Sequence, residues 1–159
     1  MFDPTAFDNL KVVLEGAVYD FDLGGEIDIV DRKDLFDFAH YERKYQIQYR
    51  LKGTQGASVR LELKADAGHF LAERKGFARG NRAGAVIAFT YLGDESLLSS
   101  RKALEEFWGQ GTSWEWLTIS SSHGETRVEG ILAFFRVITE EMVDDVIEMV
   151  AHSIESLLK

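Results

Sequence analysis

Residues 139–159, TEEMVDDVIEMVAHSIESLLK, set the expected architecture. Val143, Val146, Ile147, Val150, Ile154, Leu157 and Leu158 recur at the three- and four-residue spacings of a helix face laid on a core, and Met142 and Met149 widen that face. Glu141, Asp145, Glu148, His152, Glu155 and Lys159 fall opposite, so His152 reads as a surface residue. Thr139 suits the N-cap, where a hydroxyl accepts from an otherwise unpaired backbone N–H. The acids at 140, 141, 144 and 145 suit the positive end of the helix dipole. About twenty helical residues span roughly 30 Å, twice the ~15 Å radius of gyration expected of a domain this long. The spacing therefore predicts a helix that crosses the whole domain and lies on a sheet of similar extent. A partner-helix or dimer seam is the alternative use of the stripe. Its width exceeds the two-in-seven pattern of a coiled coil, which favours the core.

The sheet is legible upstream. In 45–52, Tyr45, Ile47, Tyr49 and Leu51 alternate with Gln46, Gln48, Arg50 and Lys52. In 57–65, Val59, Leu61, Leu63 and Ala65 alternate with Ser58, Arg60, Glu62 and Lys64. Two such strands around Gly53-Thr54-Gln55-Gly56 predict a hairpin with one wet face. For the apolar residues to share a face, opposed residue numbers must sum to an even number, which requires an odd loop of three or five residues unless a bulge intervenes.

Before this hairpin, Asp3-Pro4 suggests a short N-terminal helical turn with Phe2, Phe7 and Leu10 capping the core. Residues 11–22 read as a strand, Gly24-Gly25 as a turn, and 26–31 as the return strand. Residues 31–40 read as a connecting turn or short helix. After the hairpin, Asp66 would cap a short helix through Lys75, ended by Gly76, with a loop around Gly80, Asn81 and Gly84. Residues 85–92 are apolar on both faces apart from Thr90, as a central strand should be. Asp94 caps a helix over 95–108 that buries Leu97, Leu98, Leu104, Phe107 and Trp108. Strands follow at 114–120 and 126–138.

The sum is an α+β chain, one domain over 1–159, with an antiparallel sheet of about seven strands, one interposed helix, and a long C-terminal helix packed on one face. A curved sheet gripping a long C-terminal helix is similar to the arrangement of START-like lipid-binding domains. That likeness concerns the fold alone and carries no function.

Composition narrows the function classes. No apolar run approaches the roughly 18 residues of a membrane span, and the start, Met-Phe-Asp-Pro-Thr, lacks a basic-then-apolar signal. The absence of cysteine excludes disulfides, thiolate metal sites and cysteine nucleophiles. A cytoplasmic setting is the expectation. The net charge of −9 is uneven: residues 1–40 carry −7 and residues 139–159 carry −5, while residues 43–82 hold ten bases against three acids. Overall acidity speaks against a general nucleic-acid binder.

The basic island supplies one candidate site. Arg50, Lys52, Arg60 and Lys64 point outward from the hairpin, and Arg74, Lys75, Arg79 and Arg82 follow among glycines that let backbone approach an anion. Such a face would hold a phosphate-bearing ligand, a nucleic acid or an acidic protein surface. Its bland reading is a solvated face balanced by the acidic N-terminal segment. If Arg50 and Arg60 stand directly opposed they repel, and an anion would relieve them. Trp114 and Trp116, on one face of their strand, would either pack in the core or, if Leu117 and Ile119 face inward, stack bases or seal a homodimer. Asp66, His69 and Glu73 share one side of a helix at a spacing that can ligate a divalent metal, a weak signal beside the ordinary i,i+4 pair. No phosphate-cradling loop, dinucleotide fingerprint, nucleophile elbow or HExxH occurs.

No cofactor is implied. The expected function is that of a binding or accessory protein without a recognisable catalytic site. The alternatives are a small-molecule binder with an apolar cavity between sheet and C-terminal helix, or an anion or nucleic-acid binder through the basic face of residues 43–82.

Overall fold

The structure, a computed structural model, describes residues 5–68, 84–134 and 136–158. It is α+β. The order is α1 (Thr5–Leu23), β1 (Ile27–Asp37), β2 (Glu42–Leu51), β3 (Ser58–Ala65), β4 (Val86–Gly93), a 3₁₀ turn (Glu95–Ser100) running into α2 (Arg101–Trp108), β5 (Thr112–Ser120), β6 (Thr126–Phe134), and a 3₁₀ turn (Glu140–Met142) ahead of α3 (Val143–Leu157). The six strands form one sheet in the order β1-β2-β3-β4-β6-β5, every neighbouring pair antiparallel.

The central hairpin is the most regular part. Tyr45 pairs with Leu63, Ile47 with Leu61 and Tyr49 with Val59, all fully buried, and their numbers sum to an even total. The last pair, Arg50 with Ser58, leaves an odd number of residues between them. The register carries inward through Ile87, Phe89 and Tyr91 of β4 to Val128 and Leu132 of β6, which are also buried. These residues make the sheet's inner face, and both long helices pack on it, α1 against α3, β1 and β3, and α3 against β2.

The first departure from expectation is α1. Residues 11–22 are helical, so the strand anticipated there is absent, and the described residues form six strands and the three α-helices named above. Phe7, Leu10, Leu14, Ala17 and Val18 lie on one side at helical spacing and are buried. Val12, which supported the strand reading, is 64% exposed. The Gly24-Gly25 pair ends this helix rather than turning a hairpin. Gly24 N–H bonds Asp20 O, Glu26 N–H bonds Phe21 O, and Gly25 adopts φ +78°, the left-handed closure a glycine allows.

The second is β1, which continues through residues 31–37, read above as a turn or short helix. A bulge between Ile29 and Asp31 re-registers it on β2.

The third is α3. A 3₁₀ turn precedes it and the Thr139 side chain makes no capping bond, so the regular helix has fifteen residues. At 1.5 Å per residue that is roughly 22 Å, short of the predicted full crossing. Its buried face is also rotated. Val146, Met149, Val150, Ser153, Ile154 and Ser156 are inside, whereas Ile147 and Leu158 are exposed.

The cause is a polar seam under α3. Tyr49 Oη bonds Ser153 Oγ (2.5 Å) and Tyr91 Oη bonds Ser156 Oγ (2.7 Å), both buried. Burial raises both phenol pKa values, keeping the hydroxyls protonated. His152 is likewise not a free surface residue. Its ring stacks on Phe107 at 4.0 Å, and Nε2 donates to the Phe107 carbonyl. Asp94 does cap the 95–108 segment by accepting from Ser96 N–H, but Leu98 faces outward. The strand expected over 126–138 stops at Phe134, and Ile138 returns as a single bridge to Ala85. Among the described residues no helix is long and apolar enough to cross a membrane.

Candidate functional site: an open edge strand with an aromatic tip

β1 is an edge strand of eleven residues, paired with β2 on one side only among the described residues. From Val30 to Asp37 every residue is exposed. Edge backbone of this length is a template for another strand.

Its inner side is anchored by α1. Arg32 pairs with Glu15 (2.6 Å), Lys11 with Asp34 (2.8 Å), and Arg43 of β2 holds both Asp8 and Asp34. Tyr45 Oη donates to Glu15 at 2.6 Å. Burial alone would raise the Glu15 carboxyl, but the Tyr45 hydroxyl and the Arg32 guanidinium outweigh it and hold it below the ordinary carboxylate value. Asp34 behaves alike: burial opposes, and Arg43 and Lys11 prevail. These contacts fasten one side of the strand and, among the described residues, leave its free edge open.

The strand ends in an aromatic knot. Phe36 lies 4.7 Å from Phe38 and 5.5 Å, edge-on, from Tyr41. Phe38 is 87% exposed, and Leu35 is half-exposed beside it. The tip is held in shape by Asp37, whose Oδ1 accepts from Ala39 N–H and His40 N–H while Oδ2 meets His40 Nδ1 at 2.8 Å. Those bonds lower Asp37 and raise His40 from their ordinary pKa values, the side-chain pair being the main cause in each. Tyr41 takes φ 52° to close the turn. The strand carries Asp28, Asp31, Asp34 and Asp37 against Arg32 and Lys33, and Arg32 is already engaged by Glu15.

The other candidates disperse. Arg50, Arg60 and Lys64 do share the outer face of the sheet, but Arg50 stands opposite Ser58 and Asp28, and Arg60 opposite Gln48 and Thr90, so the feared repulsion is absent. Glu129 approaches Arg60 at 4.0 Å and Glu42 approaches Lys64 at 3.4 Å, so acids interleave with the bases. Arg50 Nε is buried without a hydrogen bond among the described residues. Lys52 sits exposed just beyond β2. Arg74, Lys75, Arg79 and Arg82 lie outside the described residues, as do His69 and Glu73 of the metal triplet with Asp66. Among the described residues no group of three or more histidines and acids could hold a metal.

Trp114 and Trp116 are turned inward. They stack on each other at 5.3 Å, Trp114 lies against Tyr91, and Trp116 Nε1 donates to Glu105 of α2. Their opposite face, with Leu117, is the outward one.

Phe36, Phe38 and Tyr41 were missed in the sequence. The signal available was the i,i+2 spacing of Phe36 and Phe38, but residues 31–35 beside them lack any apolar alternation.

No family model, no curated protein and no solved structure matches this chain.

Proposed function

We propose that the protein is a binding module that takes an extended, basic segment of another protein onto the free edge of β1, with the Phe36–Phe38–Tyr41 tip receiving an apolar side chain. The observation that carries this reading is the wholly exposed run of β1 from Val30 to Asp37, ending in exposed aromatics. In strand addition the main chain supplies affinity and alternate side chains supply selectivity. Charges and a bulge along an edge are also the devices that keep sheets from pairing with themselves. Here they discriminate: Asp34 and Asp37 are engaged by Lys11, Arg43 and His40, but Asp28 and Asp31, the latter only 3.6 Å from the exposed Lys33, would meet the same acids of a second copy, whereas a basic strand would meet them favourably. The acidic flank of residues 1–40, at −7, extends that preference over distance.

The test uses a short fluorescent peptide alternating lysine and valine, with its glutamate–valine counterpart as control, followed by anisotropy at low salt. The lysine peptide is expected to bind and the glutamate peptide not. Asp31→Lys should weaken binding about fivefold to tenfold, the size of one or two surface charge contacts, and Phe38→Ser should weaken it further. Equal binding of both peptides, or indifference to both substitutions, would overturn the reading.

A further inference from the structure

A groove lies where the end of β4, α2 and the end of α3 meet. The chain leaves β4 at Gly93 and runs through the 3₁₀ turn into α2, alongside the end of α3. Between them lies a cavity of about 220 Å³ walled by Leu97, Leu104, Phe107 and Leu157. An apolar cavity of roughly 150 Å³ accommodates benzene, so this one has room for one aromatic ring and a substituent. Among the described residues no charged side chain lines it. An ionised ligand would lose its hydration there without gaining a partner.

Three hydroxyls of the lining, those of Tyr91, Ser156 and Ser99, favour a substituent that donates. Trp108 Nε1 donates to Tyr91 Oη at 2.8 Å, an interaction that occupies one acceptor site of the phenol. Ser156 Oγ sends its proton to the Ser153 carbonyl at 2.5 Å. It has no second proton, so Tyr91 must be the donor in the 2.7 Å Tyr91–Ser156 bond. The chain therefore runs one way, from indole N–H through phenol and serine hydroxyl to backbone carbonyl. Ser99 likewise sends its proton to the Ser96 carbonyl at 2.6 Å. Tyr91, Ser156 and Ser99 have spent their protons and retain only lone pairs. Ser100, at the rim, makes no side-chain capping bond, so its hydroxyl can donate as well as accept.

We infer that this groove binds a neutral aromatic molecule bearing one hydrogen-bond donor, of the phenol or indole class, with its ring among Leu97, Leu104 and Phe107 and its O–H or N–H directed at the acceptors of the wall. The inference stands apart from the reading of β1.

The test is titration of the full chain with phenol, benzene and benzoate, followed by amide chemical shifts. Phenol should bind at one site, shifting amides of residues 97–107 and 156–157. Its affinity should exceed that of benzene by about fivefold, the worth of one hydrogen bond, and benzoate should not compete. Ala103→Phe, which fills the groove from an exposed helix position, should abolish binding while the far-ultraviolet circular dichroism and melting temperature hold. Should that variant fail to fold, Ser99→Ala is the second handle. It removes one acceptor of the wall and should narrow the phenol–benzene difference without displacing benzene. Equal affinity for phenol and benzene, binding of benzoate, or shifts confined to other residues would each overturn the inference, as would no saturable binding of phenol.

Discussion

Ser153 and Ser156 are polar residues on the buried face of a helix, and each is there because a tyrosine from the sheet reaches it. Ser153 Oγ gives its proton to the Val150 carbonyl, so Tyr49 must donate to Ser153, as Tyr91 does to Ser156. Tyr49→Phe keeps the ring and removes only the donor. It should lower stability by about 1 kcal/mol in urea denaturation, the net worth of one such bond. A loss under a few tenths would mean the seam does not hold the helix. Gly130 makes a sharper case. A Cβ there would sit 2.6 Å from the Trp116 ring, which lies across the strand directly over it. Gly130→Ala should cost about 1–3 kcal/mol through overpacking and red-shift the tryptophan emission as Trp116 is displaced. Unchanged stability and emission would place the ring elsewhere. Neither feature is legible in sequence, because a serine in an apolar stripe and a glycine in a strand acquire meaning only from what lies opposite.

Among the elements, α1 is held to the sheet by burial and by the Glu15, Asp34 and Arg43 contacts. Both carboxyls have folded pKa values below ordinary. Each therefore contributes stability that is present above the unfolded values, about 4.3 for Glu and 3.9 for Asp, and lost as pH falls through the lower folded values. Arg43→Met should cost about 1–2 kcal/mol at neutral pH, at the low end for charged hydrogen bonds because the partners are partly exposed. The gap between wild type and variant should narrow below about pH 4 in denaturation curves. A gap independent of pH would assign the loss to packing against Phe7, over whose ring Arg43 lies. The strand reading of 11–22 failed here for a definite reason. Val12-Val13-Leu14 and Gly16 suggest strand locally, while the Phe7–Leu10–Leu14–Ala17–Val18 stripe becomes visible only when the window is extended toward the N-terminus. The β2–β3 hairpin was legible because one face is dry and the other wet, which imposes a period of two.

At the scale of the molecule, the sheet has two edges with different fates. On β5 the tryptophans are spent on packing against Tyr91 and α2, while at the end of β1 and in the turn after it Phe36, Phe38 and Tyr41 are exposed. That contrast explains why the fold was largely readable and the candidate site was not. A buried strand carries the pattern of its own core, and the exposed half of β1 has no core among the described residues to impose one. What remains there is charge and a few apolar residues, which resemble a turn. The central claim is that β1 is a receptor for a strand, and amide hydrogen exchange, with and without the lysine–valine peptide, tests it most directly. The predicted result is new protection confined to amides of β1 between Val30 and Asp37, with β5 unchanged. Protection on β5, on the outer sheet face around Arg50 and Arg60, or on none of them while the peptide is bound, would contradict it.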